Sequence, residues 1–184
     1  MVTYEIAHKL LLYDECSGRL VWKPRPLKMF ASARDANTWN TRYAGVDAGT
    51  IVGHKSGNYT KYKNVVIRPS RYKAHRIIWL MQTGNWPKGH IDHIDGNGLN
   101  NCWSNLREVT ASQNAMNQRV RSDSASGIKG VSYDKARDVW YVYIDVDRKR
   151  KHLGRYETKD EAAAARLAAE KIYHGEYARK QING

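Results

Sequence analysis

From residue 89 to residue 118 the chain reads GHIDHIDGNGLNNCWSNLREVTASQNAMNQ. It places His90, Asp92, His93 and Asp95 within six residues and follows them with asparagines at 97, 100, 101, 105, 114 and 117. Such a stretch makes a poor core, because every imidazole, carboxylate or amide taken out of water needs a partner. The fold must therefore wrap a polar loop and draw its core from the flanks. The same residue types suit chemistry. Carboxylate and amide oxygens fit Mg²⁺ or Mn²⁺, whereas zinc would want more nitrogen or sulfur. A neutral histidine, with an ordinary pKa near ~6.5, suits a general base at neutral pH.

The flanks supply periodic signals. AHRIIWLMQT at 74–83 is apolar at helical spacing and is followed by Gly84, a helix stop. HIDHI at 90–94 predicts a short strand, Asp95-Gly96 a turn and LREV at 106–109 a second strand; a helix then starts near Thr110 or Ser112, either of which can cap it. The result is strand, long loop, strand and helix around one polar cluster. On a strand the neighbours Asp92 and His93 diverge, unless the loop twists both toward one cleft. Upstream, residues 3–13 predict a short amphipathic helix, and GRLVWK (18–23) and YKNVVI (62–67) predict strands.

QRVRSDSAS at 118–126 is polar, rich in small residues and without periodicity, as in a linker. Beyond it, GIKGVSYD, VWYVYIDVD and RKRKHLGRYE predict three strands, and TKDE at 158–161 is a capping-box pattern ahead of an alanine-rich helix. Trp140, Val142, Ile144 and Val146 alternate with Tyr141, Tyr143, Asp145 and Asp147. One sheet face therefore packs on the helix while the other is polar and aromatic. The reading is an α+β chain with a first domain at 1–118, β-rich at its start, a linker at 119–126 and a second domain at 127–184.

With 31 Lys and Arg against 18 Asp and Glu, the net charge is +13 and the isoelectric point about 9.8. The partner this favours is a polyanion, nucleic acid first, since phosphate binding releases counterions. Both halves are basic: 16 basic side chains stand against 8 acidic ones up to residue 118, and 15 against 10 after it. No basic amphipathic helix or lipidation signal supports a membrane surface. Cys16 and Cys102 stand alone, which excludes a disulfide framework and a four-cysteine zinc site. The only continuous N-terminal apolar run, Leu10 to Leu12, is far short of a signal-peptide core, so the expected location is the cytoplasm, that of a bacterial host if the chain is phage-encoded.

The residues D-H-x-D-G-N, then N-L-R, then Q-N-x-x-N resemble the HNH nuclease motif, in the form of phage and intron homing endonucleases with Asn rather than His in the third position. The resemblance runs from about His75 to Asn117 and implies a ββα-metal fold. By this resemblance His93 is the general base that activates the attacking water. Asp92 and Asn114 are the ligands of one divalent ion, Mg²⁺ or Mn²⁺, and Asn105 braces the loop and orients the His93 backbone. The products are 5′-phosphate and 3′-hydroxyl ends of double-stranded DNA.

KGVSYD, W-x-V-x-I, HLGRYET-x-x-EAA-x-A and GEYA, at about 126–178, resemble the apetala-two, ethylene-response-factor type of DNA-binding domain. That family lays its three-stranded sheet in the major groove, which here implies DNA contacts from Lys129, Tyr141, Tyr143, Arg148, Arg150 and His152. Ser132 and the two tyrosines depart from the plant pattern, so target preference does not transfer.

Plainer roles compete for several residues. His90 and Asp95 suit a turn or rim, His75 a structural hydrogen bond, Asn97, Asn100 and Asn101 loop shaping, Cys102 a small loop position, and Arg148 to Lys151 a solvated hairpin. Taken together, the sequence predicts a metal-dependent DNA endonuclease. One constellation per chain implies a monomer that nicks one strand, with double-strand cutting left to two protomers on DNA. The alternative is a DNA-binding regulator whose HNH-like loop is only structural. RNA binding is disfavoured, since the sheet lacks the aromatic motifs of an RNA-recognition fold.

Overall fold

The computed structural model describes residues 1–53, 61–120 and 124–179, so residues 121–123 of the expected linker lie outside the described residues. The chain forms two compact units: Met1–His93 with Asn97–Glu108, and Ile94–Gly96 with the residues from Val109 on. Among the described residues there are five α-helices and several small antiparallel sheets, a mixture of α and β as expected, and no helix is long and apolar enough to cross a membrane.

The first unit opens with helix α1 (Tyr4–Leu10), whose N-terminus is capped by the Thr3 hydroxyl accepting from the Ile6 amide at 3.3 Å. The helix expected to reach residue 13 stops at Leu10. Leu11–Asp14 is instead strand β1, paired antiparallel with β2 (Arg19–Trp22), with Leu11 opposite Trp22 and Asp14 opposite Arg19. Burial decides it: Leu11 and Leu20 are buried, and extended backbone sends Leu12 outward to solvent. Helix α2 (Ala33–Tyr43), capped by Ser32, follows. Strands β3 (Thr50–Val52), β4 (Tyr62–Ile67) and β5 (Ser70–Lys73) form one sheet with β4 central.

Helix α3 (Ala74–Thr83) buries His75, Ile77, Ile78, Leu80 and Met81 and ends at Gly84, at φ +77°. Its stripe meets Leu10, Leu11, Leu20 and Val65 in the core of this unit. Strands β6 (His90–His93) and β7 (Leu106–Val109) pair as a two-stranded sheet, and the polar loop lies between them in the chain.

The second unit begins with helix α4 (Ala111–Met116). A capping box joins the Thr110 hydroxyl and the Gln113 side chain to each other's backbone amides. Strands β8 (Val131–Asp134), β9 (Val139–Val146) and β10 (Lys149–Tyr156) form an antiparallel sheet with β9 central, and helix α5 (Lys159–Tyr173), with its own box at Thr158 and Glu161, packs on it. Val142 and Ile144 face α5 with zero exposure, and Ala162 on the helix permits the close approach. Asp147 and Arg148, both at positive φ, make the tight turn between β9 and β10.

Candidate active site

Strand β6 carries Asp92 and His93 into the first unit, where they are 7% and 4% exposed. As neighbours on a strand they take different partners. Asp92 meets the next strand: both Nε and Nη2 of Arg107 donate to its Oδ2, at 3.0 and 2.9 Å. His93 meets the loop, with its Nε2 3.1 Å from Asn101 Oδ1. The Asn101 amide nitrogen donates to the Leu99 carbonyl at 3.4 Å, which leaves Oδ1 as the acceptor. That contact is a hydrogen bond when His93 Nε2 carries the proton, and Nδ1 is then the basic nitrogen.

The His93 ring also sits among aromatic neighbours. His75 on α3 meets it edge-on with ring centroids 5.0 Å apart, and Tyr62 on β4 lies 5.9 Å from it. Burial first, and then His93, Lys73 and Arg76, pull the His75 pKa down to about 3, so at neutral pH its ring is uncharged.

The loop is anchored by the β1–β2 hairpin. Tyr13 donates its hydroxyl to the Asn101 carbonyl at 2.7 Å, and the Trp103 amide donates to the Glu15 carbonyl at 2.9 Å. Gly18, at φ +71°, lies so close that a Cβ there would come within 2.5 Å of the Asn101 backbone. Cys102 Sγ lies 2.8 Å from the Cys16 carbonyl, so two cysteines distant in sequence are neighbours.

Within the loop, Asn97 Oδ1 accepts from the Leu99 amide and Asn100 Oδ1 from the Cys102 amide, the local turns expected of them. Asn105 is buried and donates its amide to the Asn100 carbonyl at 2.8 Å, bracing the loop. His90 is exposed at the start of β6.

In the second unit, Asn114 is half-buried on α4. Tyr141, Tyr143, Arg150 and His152 share the sheet face away from α5: the Tyr141 and His152 rings are tilted by 32° with centroids 4.4 Å apart, and Arg150 lies 3.8 Å over the Tyr143 ring while pairing with Asp145. Arg148 stands at the β9–β10 turn. Lys129 is turned inward, its ammonium donating to the carbonyls of Ala115 and Met116 at 2.5 and 3.2 Å. Sequence reasoning gave no site role to Asn101, Arg107 or Tyr13. Arg107 and Tyr13 depend on strand register and long-range packing, and Asn101 is one of six similar asparagines.

By chemistry alone, the carboxylate of Asp92 in the first unit and the amide oxygen of Asn114 in the second are donors of the kind a hard divalent ion takes, and Mg²⁺ commonly completes a sparse protein set with water and substrate phosphate. Among the described residues no three His, Cys, Asp or Glu side chains are grouped to hold a metal by themselves. An ion on Asp92 would share the carboxylate with Arg107.

Residues 72–116 match the family model described as HNH endonuclease. Protein 3.8 of Escherichia phage T7 is 34% identical over 119 residues, which is 64% of this chain and 95% of that protein. An uncharacterised HNH endonuclease of Acanthamoeba polyphaga mimivirus is 39% identical over 64 residues, 34% of each chain. No solved structure matches. The matched segment contains Asp92, His93, Asn101, Asn105, Arg107 and Asn114 and ends before the three-stranded sheet.

Two outcomes follow from this geometry. Asn101→Ala leaves a buried imidazole N–H without its acceptor, which costs about 1–3 kcal/mol in urea unfolding; ¹⁵N spectra of His93 will show the proton redistributing from Nε2, and an unchanged tautomer would contradict the pairing. For His75 the folded pKa lies below the unfolded one, so the unfolded chain binds more protons between them. Its stability contribution is full above about pH 6.5 and is lost as pH falls toward 3, at up to ~1.4 kcal/mol per pH unit. Unfolding free energies between pH 4 and 7 should therefore slope less steeply in His75→Gln than in the parent.

Proposed function

Because this chain belongs to the family of the phage T7 Protein 3.8 and carries an HNH endonuclease domain at residues 72–116, we propose that it is a metal-dependent DNA endonuclease of the homing type, cutting one strand per active chain. The observation that carries this reading is the buried His93 with Nε2 on Asn101, beside Asp92, inside the matched segment.

In this mechanism His93 takes a proton at Nδ1 from the water that attacks the scissile phosphorus, as the bond to the 3′ oxygen breaks. Asn101 keeps the ring plane fixed and accepts from Nε2–H of the imidazolium that forms. The uncharged His75 adds no opposing positive charge. Asn105 holds the loop in shape. Asp92 and Asn114 hold Mg²⁺ or Mn²⁺, which when bound stabilises charge on the phosphate and on the leaving oxygen. The leaving 3′ oxygen takes a proton from solvent, so the ends are 5′-phosphate and 3′-hydroxyl.

The second unit positions the nuclease on double-stranded DNA as an apetala-two, ethylene-response-factor type module. Tyr141, Tyr143, Arg148, Arg150 and His152 face the major groove. A three-stranded sheet with a helix on one face and an aromatic, basic surface on the other supports this.

The Arg107 pairing of Asp92 favours a second reading, a DNA-binding regulator whose loop is only structural. Plasmid nicking separates the two: the nuclease nicks supercoiled DNA with Mg²⁺ and stops with EDTA, whereas the regulator binds without cutting. His93→Ala should lose turnover by at least ~10²-fold with duplex affinity nearly intact, since a general base acts in the transition state; cutting within a few fold of the parent would remove His93 from that role. Asp92→Ala and Asn114→Ala should slow cleavage and raise the Mg²⁺ concentration needed.

For the sheet, Arg148→Ala with Arg150→Ala should lower the slope of log binding constant against log salt by roughly 1 for each phosphate the pair no longer neutralises. If the pair reads bases, the loss is instead about 1–3 kcal/mol at the cognate site and much smaller on scrambled duplex. Unchanged binding on both duplexes across the salt series would take this face off the DNA.

A further inference from the structure

Helix α4 carries Asn114 and is only six residues long, and none of its side chains is buried. A helix of that length is unstable alone in water, and without buried side chains it has no apolar anchor to fix its position. Its N-terminal end is closed by the Thr110–Gln113 capping box. At its C-terminal end the Ala115 carbonyl takes the Gln118 amide at 3.3 Å, and the last carbonyls lie beyond the regular helical ladder.

Two cations from outside the matched HNH segment meet those carbonyls. Lys129 donates to Ala115 and Met116, and Arg179 Nη1 donates to the Asn117 carbonyl at 3.2 Å. The Arg179 guanidinium also lies against Gly96, where a Cβ would stand 2.6 Å from Nη1. It thus touches both the turn after β6 and the end of α4. Cations at a helix C-terminus are stabilised by the carbonyl dipoles, and a charged donor makes the stronger hydrogen bond. The position is costly for Lys129, since burial and then the neighbouring Arg166 push its pKa down. Charge-assisted bonds to two carbonyls, at 2.5 and 3.2 Å, oppose that cost.

We propose that Lys129 and Arg179 are positioning residues of the nuclease site, fixing α4 by its C-terminal carbonyls so that Asn114 is presented as a metal ligand. The recognition unit thereby sets the metal requirement of cleavage. This rests on the reading of Asn114 as a ligand, and the inward ammonium of Lys129 takes the place of the DNA contact expected from sequence.

The test uses the full chain. Lys129→Met and Arg179→Met are compared with the parent for the Mg²⁺ concentration giving half-maximal plasmid nicking, for the rate at saturating Mg²⁺, and for duplex affinity in EDTA. Both substitutions should raise the half-maximal Mg²⁺ by roughly 10-fold, the scale of lost support behind a metal ligand. Duplex affinity should stay within about 2-fold of the parent, and Lys129→Arg should restore the titration. A purely structural loss would reduce the active fraction and leave the titration midpoint in place. In an Asn114→Ala background, neither substitution should raise the Mg²⁺ requirement further. A further rise there, or an unmoved midpoint in the single variants when Asn114→Ala alone shifts it, overturns the proposal. An unmoved midpoint in Asn114→Ala itself overturns the ligand reading beneath it. If the methionine variants do not fold by circular dichroism, Arg179→Lys, which keeps the charge and loses the planar fork, takes their place: a raised midpoint supports the proposal and an unmoved one overturns it.

Discussion

The first unit depends on one buried carboxamide. Asn101 accepts from His93 through Oδ1, donates to Leu99 through Nδ2 and accepts the Tyr13 hydroxyl on its backbone oxygen. Its own side chain, the loop and the distant β1–β2 hairpin are therefore set together. Losing a partner from a buried polar atom costs about 1–3 kcal/mol, so no arrangement of the loop that abandons one of these bonds is competitive unless another replaces it. Burial also pushes the Tyr13 phenol well above its ordinary range, which keeps the hydroxyl protonated as the donor this arrangement needs. Gly18 completes the anchor, because both its positive φ and its distance from the Asn101 backbone exclude a side chain.

The ion pair across β6 and β7 gives the site a second constraint of opposite character. Asp92 and Arg107 have side chains 8% and 15% exposed, so the carboxylate has lost most of its water. Removing one partner from a buried pair costs about 3–5 kcal/mol, because the other is left as an uncompensated charge. The carboxylate is thus held in place by protein alone. In the proposed enzyme a divalent ion arriving at Asp92 would meet a guanidinium already on Oδ2, and the repulsion between the two cations would weaken binding by this residue alone. A phosphate, bringing negative charge and oxygen ligands together, relieves that repulsion. In the proposed enzyme the ion and the DNA therefore favour each other's binding.

Local signals made much of this legible in the sequence. The helical stripe of Ala74–Thr83, the strands at 62–67 and 106–109, a cap at Thr110 or Ser112 and the capping box at Thr158 each rest on residues within one or two turns, or on simple alternation. The misses share one physical origin. Leu10, Leu11 and Leu12 continue a helix by composition, and only the partner strand Arg19–Trp22 makes Leu11 extended. Asn101 was indistinguishable from Asn97 and Asn100, since all three suit turns; its carboxamide is set apart by proximity to His93. Arg107 reached Asp92 through pairing of the two strands. Likewise Lys129 reads as a basic residue ahead of a basic sheet, yet its ammonium meets helix carbonyls.

Lys129 shows why a charge of +13 overstates what the chain offers to a polyanion. Arg166 is 3% exposed, donates its Nε to the Lys129 carbonyl and pairs with Glu170, so it too serves the interior of the second unit. Arg150 differs. Its pairing with Asp145 joins side chains 58% and 56% exposed, and an exposed pair of this kind contributes only about 0–1 kcal/mol. The Tyr143 ring beneath the guanidinium fixes its plane without satisfying its donors. A phosphate diester can displace Asp145 at small cost and accept both N–H groups of the fork. In the proposed complex with DNA, the same aspartate would disfavour Arg150 as a site for any acceptor weaker than a phosphate.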